Sequence, residues 1–318
     1  MIINGADLNS KEKAALALRG LYSTHGFSLY RMSKFESFDL YARNRDFMDS
    51  ASIITFTDTD GRLMALKPDV TLSIIKNNRH IGDGVRKLYY NENIYRVSPK
   101  THYFKEIDQV GLECLGNVGE DLVCEVLALA AESLGLVADR AVLCVSDLDI
   151  LSSLIRDCGA SKDTEKEIAD CISQKNAHEL RRICGEAGVD PARTADLLEV
   201  IGIYGPPRKA LPKLKEAFPG RFEEQIGMLE KITDAVEEAG FGDMLTLDFS
   251  VVSDLKYYNG VYFKGFVEGN PDGVLSGGQY DKLMQNMGRR SRAIGFAVYM
   301  DNLGRLPKMK DREVTIRG

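Results

Sequence analysis

Apolar residues recur every three or four positions over residues 11–25 (KEKAALALRGLYSTH), the period of an amphipathic helix. A different pattern follows. Ser52-Ile53-Ile54-Thr55-Phe56 reads as a strand, Asp58-Thr59-Asp60-Gly61 as a turn, and Leu63-Met64-Ala65-Leu66 as the returning strand. Pro68-Asp69-Val70-Thr71 then has the form of a helix start. Residues 86–96, with Val85 leading in, and residues 104–116 predict two antiparallel strands. An Ala/Leu-rich helix is expected over 119–136, followed by the apolar strand Ala141-Val142-Leu143-Cys144-Val145.

From 148 to 240 the pattern is almost wholly helical, broken at Gly159, Gly188 and Gly205-Pro206-Pro207. This stretch reads as a helical module inserted into a core made of residues 1–147 and 241–318. Strand texture returns at Met244–Phe249 and again over 257–266, where Asn259-Gly260 is a hairpin signal. Ser276-Gly277-Gly278 reads as a glycine-rich turn ahead of Gln279–Met284. Ala293–Val298 is a last strand, entering a helix at Met300–Leu303. Antiparallel pairs ahead of helices indicate an α+β fold rather than repeated βαβ units.

Composition narrows the setting. A chain of 318 residues that is 44% hydrophobic can bury one large core or two modest ones. No apolar run reaches the ~18 residues of a membrane span, and Met1–Asp7 has no signal-peptide form, so the expectation is a cytoplasmic protein. The six cysteines include no C-x-x-C pair and there are four histidines, which argues against a zinc site or a disulfide framework. Nothing implies a cofactor. Net charge is −6. The basic clusters, Arg289-Arg290-Ser291-Arg292 and Lys308-Met309-Lys310, are short and suit a solvated surface, so no nucleic-acid partner is expected.

Four segments carry chemistry. Leu66-Lys67-Pro68-Asp69-Val70-Thr71 is similar to the L-R-P-E-x-T of histidyl-tRNA synthetases. Tyr95-Arg96 with Phe104–Glu113 is similar to class II motif 2. Leu255–Gly260 with Gly277-Gly278-Gln279-Tyr280-Asp281 is similar to R-G-L-D-Y-Y-T-G and G-G-R-Y-D. Gly295-Phe296-Ala297-Val298 is similar to the start of motif 3. In this order, around a helical insertion, they resemble the class II aminoacyl-tRNA synthetase-like core of the histidyl enzymes over residues 10–305. The resemblance implies an antiparallel sheet flanked by helices. It also implies a histidine pocket: Asp69, Thr71 and Gln109 for the ammonium, Glu113 for the imidazole, and Tyr257 and Tyr258 as an aromatic wall. Arg96 would be an anion contact. The residue types suit that chemistry, since an ammonium needs carboxylate and hydroxyl or amide acceptors. Other readings stay open. Asp69 equally suits a helix N-cap, the tyrosines suit core packing, and Gln109 and Glu113, on one face of a strand, suit mutual satisfaction inside a sheet.

The chain departs from the enzymes where they carry ATP-binding arginines. Ser253 and Asp254 stand at the R-G of the third segment, Asn302 at the motif 3 arginine, Tyr299 at a motif 3 glycine, and Lys34 at a motif 1 proline. His102–Ile107 replaces G-R-Y-R-E-F. Each missing cation aimed at transition-state charge costs roughly a hundredfold in rate, and Lys256 or Lys105 cannot reproduce an arginine fork. Only Pro307 to Gly318 follow motif 3, so no tRNA-reading module is expected. A synthetase-like core of this kind resembles the regulatory subunits of ATP phosphoribosyltransferase. That resemblance implies a non-catalytic subunit that works with a short-form catalytic subunit in a hetero-oligomer, carries histidine feedback, and self-associates as a dimer or more. The alternatives are an amino-acid-activating synthetase paralogue and a ligand-free scaffold.

Overall fold

The computed structural model describes residues 8–44, 48, 50–78, 82, 84–98, 101–252 and 257–303. Ser253, Asp254, Leu255 and Lys256, and everything from Gly304 onward, including Lys308 and Lys310, lie outside the described residues, as do Met1–Asp7.

The strands are β1 (Ser28–Leu29), β2 (Phe35–Ser37), β3 (Thr55–Thr57), β4 (Leu63–Leu66), β5 (Val85–Val97), β6 (Phe104–Gly116), β7 (Ala141–Asp147), β8 (Tyr204–Gly205), β9 (Leu245–Asp248), β10 (Asn259–Val267), β11 (Asn270–Gln279) and β12 (Arg292–Tyr299). The helices are α1 (Ser10–Thr24), α2 (Phe38–Ala42), α3 (Thr71–Asn77), α4 (Glu120–Val137), α5 (Leu148–Asp157), α6 (Lys162–Ser173), α7 (Ala177–Glu186), α8 (Pro191–Gly202), α9 (Pro207–Ala217), α10 (Glu223–Glu238), α11 (Asp281–Asn286) and α12 (Met300–Leu303). Nine strands form one sheet in the order β1-β5-β6-β12-β11-β10-β7-β9-β8, and β2-β4-β3 form a second. From β5 to β7 every pairing is antiparallel, which confirms α+β.

Helix starts follow local chemistry. Asn9 and Glu12 make a capping box at α1. The Asp147 carboxylate accepts from the N–H groups of Asp149 and Ile150 at the start of α5. Ser161, Asn176 and Asp190 cap α6, α7 and α8, with Pro191 in the first turn of α8.

Alternation along the central strands sends side chains to two faces. Val110, Leu112 and Cys114 of β6, with Ile294, Phe296 and Val298 of β12, join the core with Leu18 and Tyr22 of α1 and Leu127, Ala130 and Leu134 of α4. Burying each large aliphatic side chain contributes about 1.5–3 kcal/mol. The helices of 148–240 bury Leu151, Leu180, Leu197, Leu214 and Leu229 in that same cluster.

Three readings are corrected. The strand begins at Thr55, not Ser52: Ser50–Ser52 is a 3₁₀ turn and Ile53 makes only an isolated bridge to Arg96. Asn259-Gly260 is not a hairpin turn. Gly260 has φ +56° at a bulge inside the β10–β11 pairing, so the positive φ that suits an Asn-Gly turn here re-aims a strand; the reversal comes at Glu268-Gly269, where Gly269 has φ +81°. Gly277-Gly278 is not a turn either but the interior of β11.

Candidate functional site

The other face of the sheet is open at its centre and carries a cavity of about 740 Å³. Its floor is made of small residues in register. Gly111, Ala297 and Ser276 lie opposite one another across β6, β12 and β11, and Gly295 and Gly278 pair across β12 and β11. Glycine is required where the floor is tightest. A β-carbon on Gly295 would stand 1.8 Å from Glu113 Oε2, and one on Gly111 would stand 2.4 Å from the Phe296 carbonyl.

Glu113, 3% exposed, sits at the acidic end. Its Oε1 accepts from the Thr71 hydroxyl at 2.6 Å and its Oε2 from the Tyr280 hydroxyl at 2.5 Å. Burial pushes its carboxyl up to about 8, with the Asp69 charge adding to the shift and the two hydrogen bonds opposing it. A protonated Glu113 has one O–H to donate, so one of the hydroxyls then turns to accept. The folded state holds this proton more tightly than the unfolded chain, so the unfolded chain binds fewer protons between about pH 4.5 and 8 and stability falls as pH rises through that window. Glu113→Gln is expected to remove this contribution: its melting temperature should decline less than the parent's between pH 5 and 8. Equal declines in thermal melts would reject a proton on Glu113.

Asp69 does two jobs. Its Oδ1 accepts from Leu72 N–H at 2.8 Å in the first turn of α3, and its Oδ2 lies 3.6 Å from Arg96 Nη2. Cap and cavity wall are therefore one carboxylate. Burial raises Asp69 above the ordinary carboxylate range against the pull of Arg96. Arg96 is tied down further by donating from Nε to the Pro68 carbonyl at 2.8 Å.

The wall is aromatic. Tyr257 and Tyr258 have ring centroids 4.4 Å apart, Tyr258 and Tyr262 4.8 Å, and Tyr257 and Tyr280 6.1 Å. Tyr299 closes another side, its hydroxyl 2.7 Å from Ser276 Oγ. Lys264 follows Tyr262 on the same face of β10.

All seven residues expected from the sequence, Asp69, Thr71, Arg96, Gln109, Glu113, Tyr257 and Tyr258, line this cavity. Tyr90, Tyr280 and Lys264 line it as well and were not anticipated. Period-two alternation could have found two of them. Tyr90 shares a face of β5 with Arg96, and Lys264 follows Tyr262 by two. Tyr280 lies in the G-G-x-Y-D piece itself. Of the altered enzyme positions, Asn302 is structural: its amide donates to the Gly273 carbonyl and its own carbonyl accepts from Asn270 Nδ2, both at 2.8 Å. Among the described residues no cluster of three His, Cys, Asp or Glu could hold a metal, and no helix is long and apolar enough to cross a membrane. All six cysteines are free.

A six-stranded antiparallel core flanked by helices, with a polar cavity on its open face beside the long β5–β6 hairpin, is the architecture of a class II aminoacyl-tRNA synthetase catalytic domain. The sequence model of the histidyl-tRNA synthetase family matches residues 4–303, and the chain belongs to that family. Curated relatives include an ATP phosphoribosyltransferase regulatory subunit of Bacillus cereus, 26% identical over 92% of this chain and 71% of the relative. Another of that name, from Caldanaerobacter subterraneus subsp. tengcongensis, is 28% identical over 90% of this chain and 75% of the relative. Solved structures of the same fold include an ATP phosphoribosyltransferase regulatory subunit/histidyl-tRNA synthetase from Bacillus halodurans, with TM-score 0.80, 20% identity, and coverage of 92% of this chain and 78% of that one. A chain of the ATP phosphoribosyl transferase (HisG:HisZ) complex from Thermotoga maritima gives TM-score 0.72 and 17% identity, covering 91% and 97%.

Proposed function

We propose that this chain is the regulatory subunit of an ATP phosphoribosyltransferase, the first enzyme of histidine biosynthesis, and that it is not catalytic on its own. The observation that carries the reading is the shared name of relatives that align along nine-tenths of the chain. The site agrees with it. Arg96 is committed to Asp69 and the Pro68 carbonyl, and Asn302 to backbone, which leaves few cations to steady the charge that develops when an amino acid is joined to ATP.

Histidine is the effector in this reading. Its ammonium meets Asp69, Thr71 and Gln109, its imidazole meets Glu113, and Tyr257 and Tyr258 stack beside the ring. Feedback is then a coupling free energy between this cavity and the catalytic subunit. The helices of 148–240 form an inserted module and a docking surface for that partner. Copies of the chain pair through the small β2-β4-β3 sheet, where Phe35 and Leu63 are 52% and 49% exposed and Phe35 and Phe56 meet edge to face at 5.5 Å.

The test is reconstitution with a short-form catalytic subunit from the same genome, following phosphoribosyl-ATP formation. Activity that needs both chains and falls when histidine is added supports the reading. No complex and no activation overturns it, and a chain that sediments as a monomer overturns the pairing.

A further inference from the structure

We propose that Lys264 holds the carboxylate of the bound amino acid, which makes it the residue that selects a zwitterion over the corresponding amine; this rests on the effector reading above. The inference starts from charge placement. Three other buried or half-buried lysines sit on acids: Lys67 on Glu92, Lys76 on Glu36, Lys87 on Glu125. Lys264 has no acidic partner among the described residues. Burial alone acts on it, lowering its affinity for a proton, and the ammonium lies 5.9 Å from the centroid of the Tyr262 ring. The other cation of the cavity, Arg96, is already engaged. An unpaired cation removed from water destabilises a protein unless something compensates for it. Here the open side is the cavity itself.

The span fits an amino acid. Glu113 belongs to β6, but its carboxyl lies directly above Gly295 of β12, as the 1.8 Å approach to that glycine's β-carbon position requires. Gly295 pairs with Gly278 of β11 and Gly278 with Tyr262 of β10, and Lys264 lies two residues further along β10, opposite Ser276. Two strand spacings and that two-residue step separate the two backbone positions by ~12 Å. The lysine stem covers part of that separation, and what remains is on the scale of an amino acid. The floor along that line is Ala297 and Ser276, bounded by the Tyr258 and Tyr262 rings over Gly278 and by the Tyr299 hydroxyl on Ser276. The cavity thus carries acids at Asp69 and Glu113 and an ammonium at Lys264, with Asp272 also on its wall but not paired to that lysine, and a zwitterion lying across it would have both ends paired.

Calorimetric titration of the full-length chain with histidine and with histamine tests this, because histamine keeps the imidazole and the amine and lacks the carboxylate. The parent is expected to prefer histidine by roughly tenfold or more. Lys264→Met keeps the stem and removes the charge. It should weaken histidine by a similar factor, leave histamine within about twofold, and leave the ligand-free melting temperature at or above the parent's. Lys264→Arg should restore most of the histidine affinity. Lys264→Met that binds histidine as the parent does, or that loses both ligands alike, overturns the assignment while leaving the effector reading in place. A parent chain that binds no histidine overturns the effector reading itself.

Discussion

Glu113→Ala is expected to weaken histidine binding by about 30- to 150-fold, and to abolish histidine inhibition of the reconstituted complex at concentrations that silence the parent. The side chain is buried and its two oxygens anchor the acidic end of the cavity. A buried ligand N–H left without its acceptor forfeits about 2–3 kcal/mol, and that energy is the stated factor in affinity. Truncation also leaves the Thr71 and Tyr280 hydroxyls without their acceptor, so the wall loosens where the imidazole is expected. Calorimetry of the isolated chain separates the ligand effect from assembly, and circular dichroism shows whether the sheet survives. Glu113→Gln should lose less, because the amide still accepts one hydrogen bond. Undiminished affinity in Glu113→Ala would remove this residue from the site.

Lys67→Met is expected to give the largest loss of stability, about 3–5 kcal/mol, from removing one partner of a buried ion pair. Lys67 is 1% exposed and its ammonium binds the Glu92 carboxylate. Glu92 also accepts from the Met32 N–H, and Lys67 backbone groups bind Lys34 and Tyr95. The pair thus pins the β2–β4 edge of the small sheet to β5 of the large one. Without the lysine, Glu92 is left charged and without its cation. For a chain of this size the melting temperature should fall by about five to eight degrees. The double variant Lys67→Met/Glu92→Leu should recover part of that loss, because neither charge is then stranded. A single variant as stable as the parent would show that the pair contributes nothing net.

The elements were legible wherever period and motif agreed. The two long strands, the Ala/Leu helix and the helical stretch from 148 to 240 stand within one or two residues of their expected bounds. The cavity residues were legible only through motif resemblance, since Asp69 and Glu113 are 44 positions apart and no local pattern joins them. Glycine misled twice. Asn259-Gly260 and Gly277-Gly278 carry the composition of turns, yet one is a bulge and the other lies inside a strand, because what they provide is close approach between neighbouring strands. That need arises from register, which a single strand's sequence does not contain. Lys264 escaped for a related reason. Its meaning comes from its having no acid paired with it among the described residues, and that becomes visible only once β10, β11 and β12 lie side by side.

The glycine-lined floor has a consequence for how this cavity can change. Its depth is set by atoms that are missing, and at Gly295 and Gly111 there is no room to add even one back. Shape on that side is effectively frozen, because a single methyl group displaces either a carboxylate or a strand. Any drift toward a smaller, larger or differently shaped ligand therefore has to pass through the tyrosine wall, where rings can be exchanged without moving the backbone. Variation in what such proteins sense should be sought in the tyrosines, with the floor held constant beneath them.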